Sequence, residues 1–347
     1  MNLPPTTAFP AIGDIMTAQG KRPSEVELID RYFRPLASDP GAFGLADDVA
    51  LVPPKAGEDL ILTVDTVAEG VHFFPDDPAD AVAAKALRIN LSDLAGKGAT
   101  PRSYLLALSL RADWKEEWVA AFVRGLGEDQ KTYGLSLIGG DTTRASGGTT
   151  ISITAIGGLP TGTIVRRAGA QFGDQVFVSG TIGDAALGLR LRKGEIDASG
   201  AEADHLLRRY RLPEPRLALA PILRRHATAA LDVSDGLIGD FAHICRASGV
   251  SGIIEAAAVP LSAPARRIVE GAPEALRWVL TGGDDYEVLA TVPERSADAF
   301  AGDAAGAGVP MTRIGRVTAG GAPPTVVDPA GRQLSFPRLS FDHFRSA

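Results

Sequence analysis

The segment LDVSDGLIGD, residues 231–240, places three carboxylates, Asp232, Asp235 and Asp240, where a predicted strand meets a predicted helix. The apolar run ATAALDV leads into it, and the helix-like run GLIGDFAHICRA follows. One Asp or Ser is enough to cap the first turn of a helix. Three acids at the end of a buried strand therefore indicate a site that attracts positive charge.

Asp240 is expected to lie apart from the other two acids. It comes five residues after Asp235, and at 100° per residue on a helix it would point about 140° away. The spacing predicts that Asp240 is a helix-surface residue outside the site. Asp232 and Asp235, at the junction of strand and helix, remain as the candidate ligands.

Similar acids recur in the rest of the chain, at the ends of apolar runs or beside Gly, Ser and Thr. They are Asp47 and Asp48 of GLADDVALV, Asp65 of LILTVDT, Asp93 of INLSDLAGKGA, Asp141 of LSLIGGDTT, and Asp284 and Asp285 of WVLTGGDDYE. Each one alone is typical of a turn or a helix cap. Their recurrence leaves a shared cation site as the alternative.

The bulk composition excludes several classes of protein. The 347 residues are 45% apolar and 22% charged, which is typical of a globular protein with enough core for two domains. A net charge of −7 argues against binding to nucleic acid. No apolar run approaches the length of a membrane span, and the N-terminus lacks the pattern of a signal peptide. With one cysteine, Cys245, the chain is expected in the cytoplasm.

The order of predicted elements favours an α+β fold of two domains, each a mixed sheet covered by helices. Residues 1–22 are read as a flexible extension, 23–160 as the first domain and 161–347 as the second, because Gly and charge interrupt the apolar rhythm in TGTIVRRAGAQFGD. Ser24 and Glu27 form a predicted capping box. The runs DVALVPP, 48–54, and ALRWVLT, 275–281, are predicted as strands.

The candidate ligands are oxygen donors without clustered His or Cys, a set that suits Mg²⁺ or Mn²⁺ rather than Zn²⁺. Magnesium usually links protein carboxylates to phosphate oxygens, so the expected partner is a nucleotide or another phosphate ester. The chain has neither GxxxxGK[ST] nor a GxGxxG that opens a helix. This absence argues against a P-loop enzyme and against a protein-kinase-like one.

The motifs, taken in order, resemble those of the thiamine-monophosphate kinase family, within the aminoimidazole-ribonucleotide-synthetase-like ATP-binding superfamily. The matching segments are DDVALV, VDTVAEGVHF, KALRINLSDLAGKGA, LIGGDTTR, VSGTIGDAALGL, LDVSDGLIGD, TGGDDYEV and the closing DHF. They cover essentially the whole chain after the N-terminal extension. GGD or SDG alone would be a weak signal, whereas the ordered combination is specific.

The resemblance implies a homodimer that transfers the γ-phosphoryl group of ATP, as co-substrate, to thiamine monophosphate with several Mg²⁺ ions. The implied metal positions are Asp47, Asp48, Asp65, Asp93, Asp141, Asp232 and Asp235. Among these, Asp65, Asp141 and Asp235 are expected to be catalytic. The implied ATP contacts are Gly140, Asp141, Arg167 and Ser234, and the implied thiamine monophosphate contacts are His72, Asp284 and Phe341.

This activity agrees with the residues that the chain offers. A phosphate monoester is largely dianionic at neutral pH, so the acceptor needs no general base. The difficulty is to bring one anion onto another, which calls for positioning and charge neutralisation. A chain without a visible catalytic Cys or Ser–His pair suits that task.

Two other readings stay open: a different ATP-dependent enzyme of the superfamily, or a non-catalytic nucleotide-binding regulator. The selenide-activating relatives resemble chains with a reactive residue near the N-terminus, and the hydrogenase-maturation relatives resemble chains that end in Cys; this chain has neither. Three departures from the family pattern concern the site. Ala46 stands where Gly is common, Phe341 where Tyr or Trp is common, and Asp284 where Glu is common.

Overall fold

The computed structural model describes residues 22–341, which form two mixed β-sheets with helices packed on them. The strands are β1 (Glu58–Ala68), β2 (Thr100–Leu110), β3 (Ser136–Arg144), β4 (Thr150–Pro160), β5 (Gln175–Ser179), β6 (Ala229–Asp232), β7 (Ser251–Glu255), β8 (Val288–Val292), β9 (Met311–Thr318), β10 (Thr325–Val327) and β11 (Gln333–Leu334). The predicted extension lies outside the described residues except for Arg22.

The helices fill the connections between these strands. The α-helices are α1 (Glu25–Leu28), α2 (Ala79–Gly96), α3 (Glu116–Tyr133), α4 (Asp184–Arg192), α5 (Gly200–Arg211), α6 (Ala220–His226), α7 (Leu237–Ser248), α8 (Ala263–Gly271), α9 (Leu276–Thr281) and α10 (Ala297–Gly306). A π-helical turn covers Ile29–Phe33, and 3₁₀ turns cover Arg34–Leu36, Pro40–Leu45, Leu217–Leu219, Ala256–Ala258, Pro273–Ala275 and Glu294–Ser296. The predicted capping box of Ser24 and Glu27 is confirmed at α1.

The first sheet has the strand order β1-β4-β2-β3, with β2 and β3 parallel and the other pairs antiparallel. One face packs against α2 and α3 through a core that includes Leu87, Leu106 and Phe122. On the opposite face, the side chains of Leu62 and Val64 are exposed. Successive side chains of β1 point to opposite faces of the sheet, so one face is covered by helices and the other exposes apolar side chains.

The second sheet has the order β11-β10-β7-β9-β5-β8-β6, and helices cover both of its faces. Successive residues of β5 show this arrangement, because Val176 and Val178 join one core with Phe241 of α7. Phe177, between them, joins the other core with Phe300 of α10. A strand buried on both sides gives a continuous apolar run, as QVFVS does. Two mixed sheets with separate cores confirm the predicted α+β, two-domain fold.

Helix α2 joins the two sheets. It packs on β1 and β4 of the first sheet and also against β6 and β8 of the second. Close approach depends on Gly96, because a Cβ at this position would lie 3.1 Å from the backbone nitrogen of Asp232. Next to it, the Lys97 ammonium donates to the carbonyl of Ala230 at 2.7 Å. Because α2 contacts both sheets, it holds the first sheet next to the end of β6.

Two strand predictions were wrong. Residues 48–54 form an irregular segment, where Val49 and Leu51 are exposed without a neighbouring strand. Residues 276–281 form α9, which buries Val279 and Leu280. An apolar run as short as these does not distinguish strand from helix by itself. Among residues 22–341, no helix is long and apolar enough to cross a membrane.

Candidate functional site

The segment between β6 and α7 is organised by Asp240. Its carboxylate accepts hydrogen bonds from the backbone N–H groups of Ser234, Asp235 and Gly236 at 3.0, 3.0 and 3.1 Å. Asp240 is only 3% exposed, so its prediction as a helix-surface residue was wrong. Asp235 precedes the first residue of α7, Leu237, and the helical angle between positions 235 and 240 therefore does not apply.

Four carboxylates beside this segment are linked by the effects of their charges, and we call them the acid cluster: Asp65, Asp93, Asp232 and Asp235. Among the described residues, the possible metal-ligand atoms that lie within 4.8 Å of one another belong to Asp235, Asp240 and His243. Asp65 comes from β1, where its N–H donates to Asn90 of α2 at 3.1 Å. Asp93 comes from α2 and accepts a hydrogen bond from the Thr63 hydroxyl. Burial, together with the charges of Asp93 and Asp235, raises the pKa of Asp65 to about 6. The cluster thus holds like charges close together.

Asp232 is the most buried member of the acid cluster, at 6% exposed. Burial raises the pKa of its carboxyl well above the usual range, and the charge of Asp93 adds to that rise. A hydrogen bond from Ser92 and the ammonium of Lys97 act in the opposite direction. Burial in turn lowers the pKa of Lys97 to about 8. One buried lysine among four acids leaves the cluster suited to a cation.

The other predicted metal residues lie elsewhere in this chain. Asp47 and Asp48 are exposed in the irregular segment, where the Asp48 N–H donates to the Asp47 carboxylate at 2.8 Å. Asp141 is exposed on β3, and three strand spacings, about 14 Å, separate β3 from β1. Their assignment as ligands stays a prediction.

The predicted nucleotide residues come from different elements. Gly140 lies where β3 approaches β2 so closely that a Cβ would be 1.9 Å from the Leu106 carbonyl oxygen. Arg167 is exposed in the connection between the sheets, and its charge helps to lower the pKa values of Lys97 and His243. Ser234 is held by Asp240 as described above. The nucleotide roles of these residues stay predictions.

Two of the three residues predicted to contact thiamine monophosphate, Asp284 and Phe341, are hydrogen-bonded to the segment between β6 and α7. Phe341 is 50% exposed, and its backbone N–H donates to the Asp235 carbonyl at 2.9 Å, so the end of the described chain returns to the site. Asp284 forms an ion pair with Lys85 at 2.8 Å. The same Lys85 ammonium donates to the His72 carbonyl at 3.1 Å. Lys85 therefore links two predicted substrate residues.

Reasoning from sequence missed Lys85 and Glu287, and it noted Asp285 without giving it a role. Asp285 accepts from the Gly183 N–H at 2.9 Å, at the start of α4. Glu287 is fully buried between Arg209 and Arg216. A signal for Lys85 existed, because it interrupts the Ala-rich run AVAAKAL. Its partner, however, lies 199 residues away.

The departures at Ala46 and Asp284 have distinct structural settings. Residues 43–45 adopt the left-handed conformation, with φ of 49°, 61° and 57°, whereas Ala46 has φ of −104°. The loop thus accommodates Ala46 by placing positive φ at the residues before it. Asp284 itself has φ of 65°, which is costly for a residue other than Gly.

Two family models match the chain, one for each half. The N-terminal domain of AIR synthase related proteins matches residues 46–159, and the C-terminal domain of the same family matches residues 171–327. A thiamine-monophosphate kinase of Caulobacter vibrioides is 44% identical over 86% of this chain and 85% of its own length. A thiamine-monophosphate kinase of Escherichia coli K12 is 43% identical over 85% of this chain and 90% of its own length. The chain belongs to the thiamine-monophosphate kinase family.

Solved structures support the same family. A thiamine-monophosphate kinase from Stenotrophomonas maltophilia is 40% identical, with a TM-score of 0.78 over 88% of this chain and 96% of that one. AaThiL complexed with AMPPCP and TMP is 30% identical, with a TM-score of 0.74 over 94% and 100%. The hydrogenase maturation protein HypE, at 21% identity and a TM-score of 0.75, shares the fold. The family resemblance read from the motifs is confirmed.

Proposed function

We propose that this protein transfers the γ-phosphoryl group of ATP to thiamine monophosphate, giving thiamine diphosphate and ADP. The observation that carries this proposal is the acid cluster, which lies where α2 and the end of β6 meet, in a chain of this kinase family. The complex of AaThiL with AMPPCP and TMP supports the choice of both substrates. The backbone N–H groups of Phe341 and Asp284 donate to the carbonyls of Asp235 and Ser234, so both lie beside the segment that carries Asp235.

The acid cluster fits Mg²⁺ ions. Its donors are carboxylate oxygens, and burial beside like charges raises the pKa values of Asp65 and Asp232, so a bound cation would relieve their repulsion. We propose Asp65, Asp93, Asp232 and Asp235 as ligands, with Asp47, Asp48 and Asp141 serving further ions. Bound Mg²⁺ would neutralise charge on the transferring phosphoryl group.

The chain's own residues bind and orient the two anions. Gly140 and Ser234 present backbone and hydroxyl groups for ATP, and Arg167 offers a guanidinium for its phosphates. His72, Asp284 and Phe341 form the binding surface for thiamine monophosphate. No side chain needs to remove a proton from the acceptor, because its phosphate is already dianionic at neutral pH. Catalysis in this proposal is positioning and charge neutralisation.

We also propose that the protein is a homodimer and that the two halves have different tasks. The open face of the first sheet carries exposed Leu62 and Val64, at 62% and 60%, side by side on one strand. Exposed apolar side chains grouped on one sheet face are typical of protein interfaces. Residues 23–160 would form the dimer and bind ATP and Mg²⁺, and residues 161–347 would complete the nucleotide and substrate site.

The decisive experiment incubates the purified protein with ATP, MgCl₂ and either thiamine monophosphate or thiamine, and measures ADP and thiamine diphosphate by chromatography. We expect thiamine diphosphate and ADP in equal amounts from thiamine monophosphate, and no product from thiamine. Phosphorylation of thiamine itself would refute the substrate assignment. ATP binding without turnover on either acceptor would favour a regulator instead.

A further inference from the structure

Lys85 lies at the contact between α2 and the second sheet, with its side chain only 4% exposed. Its ammonium donates to Asp284 at 2.8 Å and to the His72 carbonyl at 3.1 Å. The same ammonium lies 4.1 Å from the centre of the Tyr210 ring. The Tyr210 hydroxyl also donates to the His72 carbonyl, at 3.2 Å. A single buried cation thus contacts segments that are far apart in the chain.

Asp284 needs such a partner for two reasons. Its carboxylate is mostly shielded from water, at 24% exposed, and an unpaired charge in that position would be costly. Its backbone also has φ of 65°, and Tyr286, two residues later, has φ of 51°. Strained backbone persists only where its surroundings hold it. Oδ2 of Asp284 accepts from Lys85, and Oδ1 accepts from the Tyr286 hydroxyl at 3.2 Å.

We propose that Lys85 is a positioning residue for thiamine monophosphate: it holds Asp284 and the His72 segment in the arrangement that binds the substrate. This inference rests on the proposed function and adds to it a residue outside the predicted contact set. His72 and Lys85 line the same small cavity together with Tyr210. Lys85 acts through Asp284 and His72 rather than on the phosphoryl group.

The test uses Lys85→Met, which keeps the length of the side chain and removes its charge. We expect the KM for thiamine monophosphate to rise about tenfold, since tenfold corresponds to about 1.4 kcal/mol and loss of one partner of a shielded charge pair costs at least that much. The KM for ATP should stay within about twofold, because the contacts of Lys85 lie on the side of Asp284 and His72. Equal increases in both KM values would overturn the positioning role.

Arg88→Met is the matched control. Arg88 lies one turn further along α2 and pairs with buried Asp129 at 2.8 Å, away from His72 and Asp284. Loss of that charge pair should lower the thermal stability while leaving the KM for thiamine monophosphate unchanged. If Arg88→Met raises this KM as much as Lys85→Met does, the effect of Lys85 is general destabilisation and the proposal fails.

A double-mutant cycle keeps the proposal testable if Lys85→Met alone does not fold. Calorimetric binding of thiamine monophosphate is compared between Asp284→Asn and the Lys85→Met/Asp284→Asn pair, in which both charges are gone. A lysine that acts through both Asp284 and the His72 carbonyl should change the Kd by clearly less than tenfold in that background, because only the His72 contact remains to be lost. A further tenfold loss would overturn it. Absence of turnover in the wild type refutes the proposed function, whereas an active wild type with an unaffected Lys85→Met refutes only this inference.

Discussion

The acid cluster and the segment TGGDDYE, residues 281–287, both gather carboxylates where the two sheets meet, yet their charges are handled differently. In TGGDDYE each acid has a donor: Lys85 for Asp284, the Gly183 N–H for Asp285, and two arginines for Glu287. In the acid cluster, the neighbouring charges that act on Asp65 are both negative. The acid cluster is compensated only in part, by Lys97 acting on Asp232, and we therefore propose it rather than TGGDDYE as the cation site.

The largest expected effect comes from Asp235→Asn, which removes one charge from the acid cluster. Turnover should fall by at least about a thousandfold, because charge neutralisation by bound cations is the main contribution to phosphoryl transfer in this proposal. ADP release is the measurement, and the circular dichroism spectrum should remain that of the wild type. Activity within about tenfold of the wild type would contradict the proposed difference between the acid cluster and TGGDDYE, since the cluster would then not be the cation site.

Glu287→Gln tests the compensated region. Glu287 is fully buried and accepts from Arg209 at 2.7 Å and from Arg216 at 2.5 Å, so the substitution leaves Glu214, among the described residues, as the one carboxylate paired with both guanidiniums. We expect a loss of about 3 to 5 kcal/mol in the free energy of unfolding. Urea unfolding monitored by fluorescence measures it. An unchanged stability would show that the buried ion pair is not structural.

Asp240→Ala tests the residue that positions the segment of the acid cluster without being one of its four members. The substitution removes the acceptor of three backbone N–H groups, and leaving such buried donors unsatisfied costs about 1 to 3 kcal/mol. We expect lower thermal stability and weaker ATP binding together, measured by calorimetry. A stable variant with normal ATP affinity would mean that the segment holds its conformation without Asp240.

The dependence of stability on pH tests the same contrast without a large change in the structure. The folded-state pKa of Asp65 is about 6, above the unfolded value of about 3.9, so the folded state holds a proton that the unfolded state has lost between these pH values. Without divalent cations, Asp65 should therefore reduce stability by up to about 1.4 kcal/mol per pH unit as pH rises from 4 to 6. Thermal melts at each pH, compared with Asp65→Asn, measure this slope.

Magnesium should act against that loss. Because ligand carboxylates bind a cation in their ionised form, added MgCl₂ should raise the Tm more at pH 7.5 than at pH 5. The Asp65→Asn variant should show a smaller difference between the two pH values. A Tm that responds equally to MgCl₂ at both pH values, in both proteins, would contradict a cation site at the acid cluster.

Several local features could be predicted from the sequence because they depend on neighbours in the chain. The capping box of Ser24 and Glu27 needs only a spacing of three residues, and the Ala-rich run of α2 has strong helical preference. Asp240 could not be placed correctly in the same way. Its role depends on where α7 begins. The helix begins at Leu237, two residues after Asp235, so the direction of Asp235 relative to Asp240 does not follow the helical repeat.

The sequence by itself determined the two-domain α+β class, the family and the wealth of oxygen ligands at the ends of apolar runs. Only the tertiary structure decided which acids share a site. It brought Asp65 and Asp93 to Asp235, and it gave Asp284 to Lys85 across 199 residues. The reason is physical: the pKa and pairing of a carboxylate depend on burial and on charges a few ångströms away, and chain folding sets both.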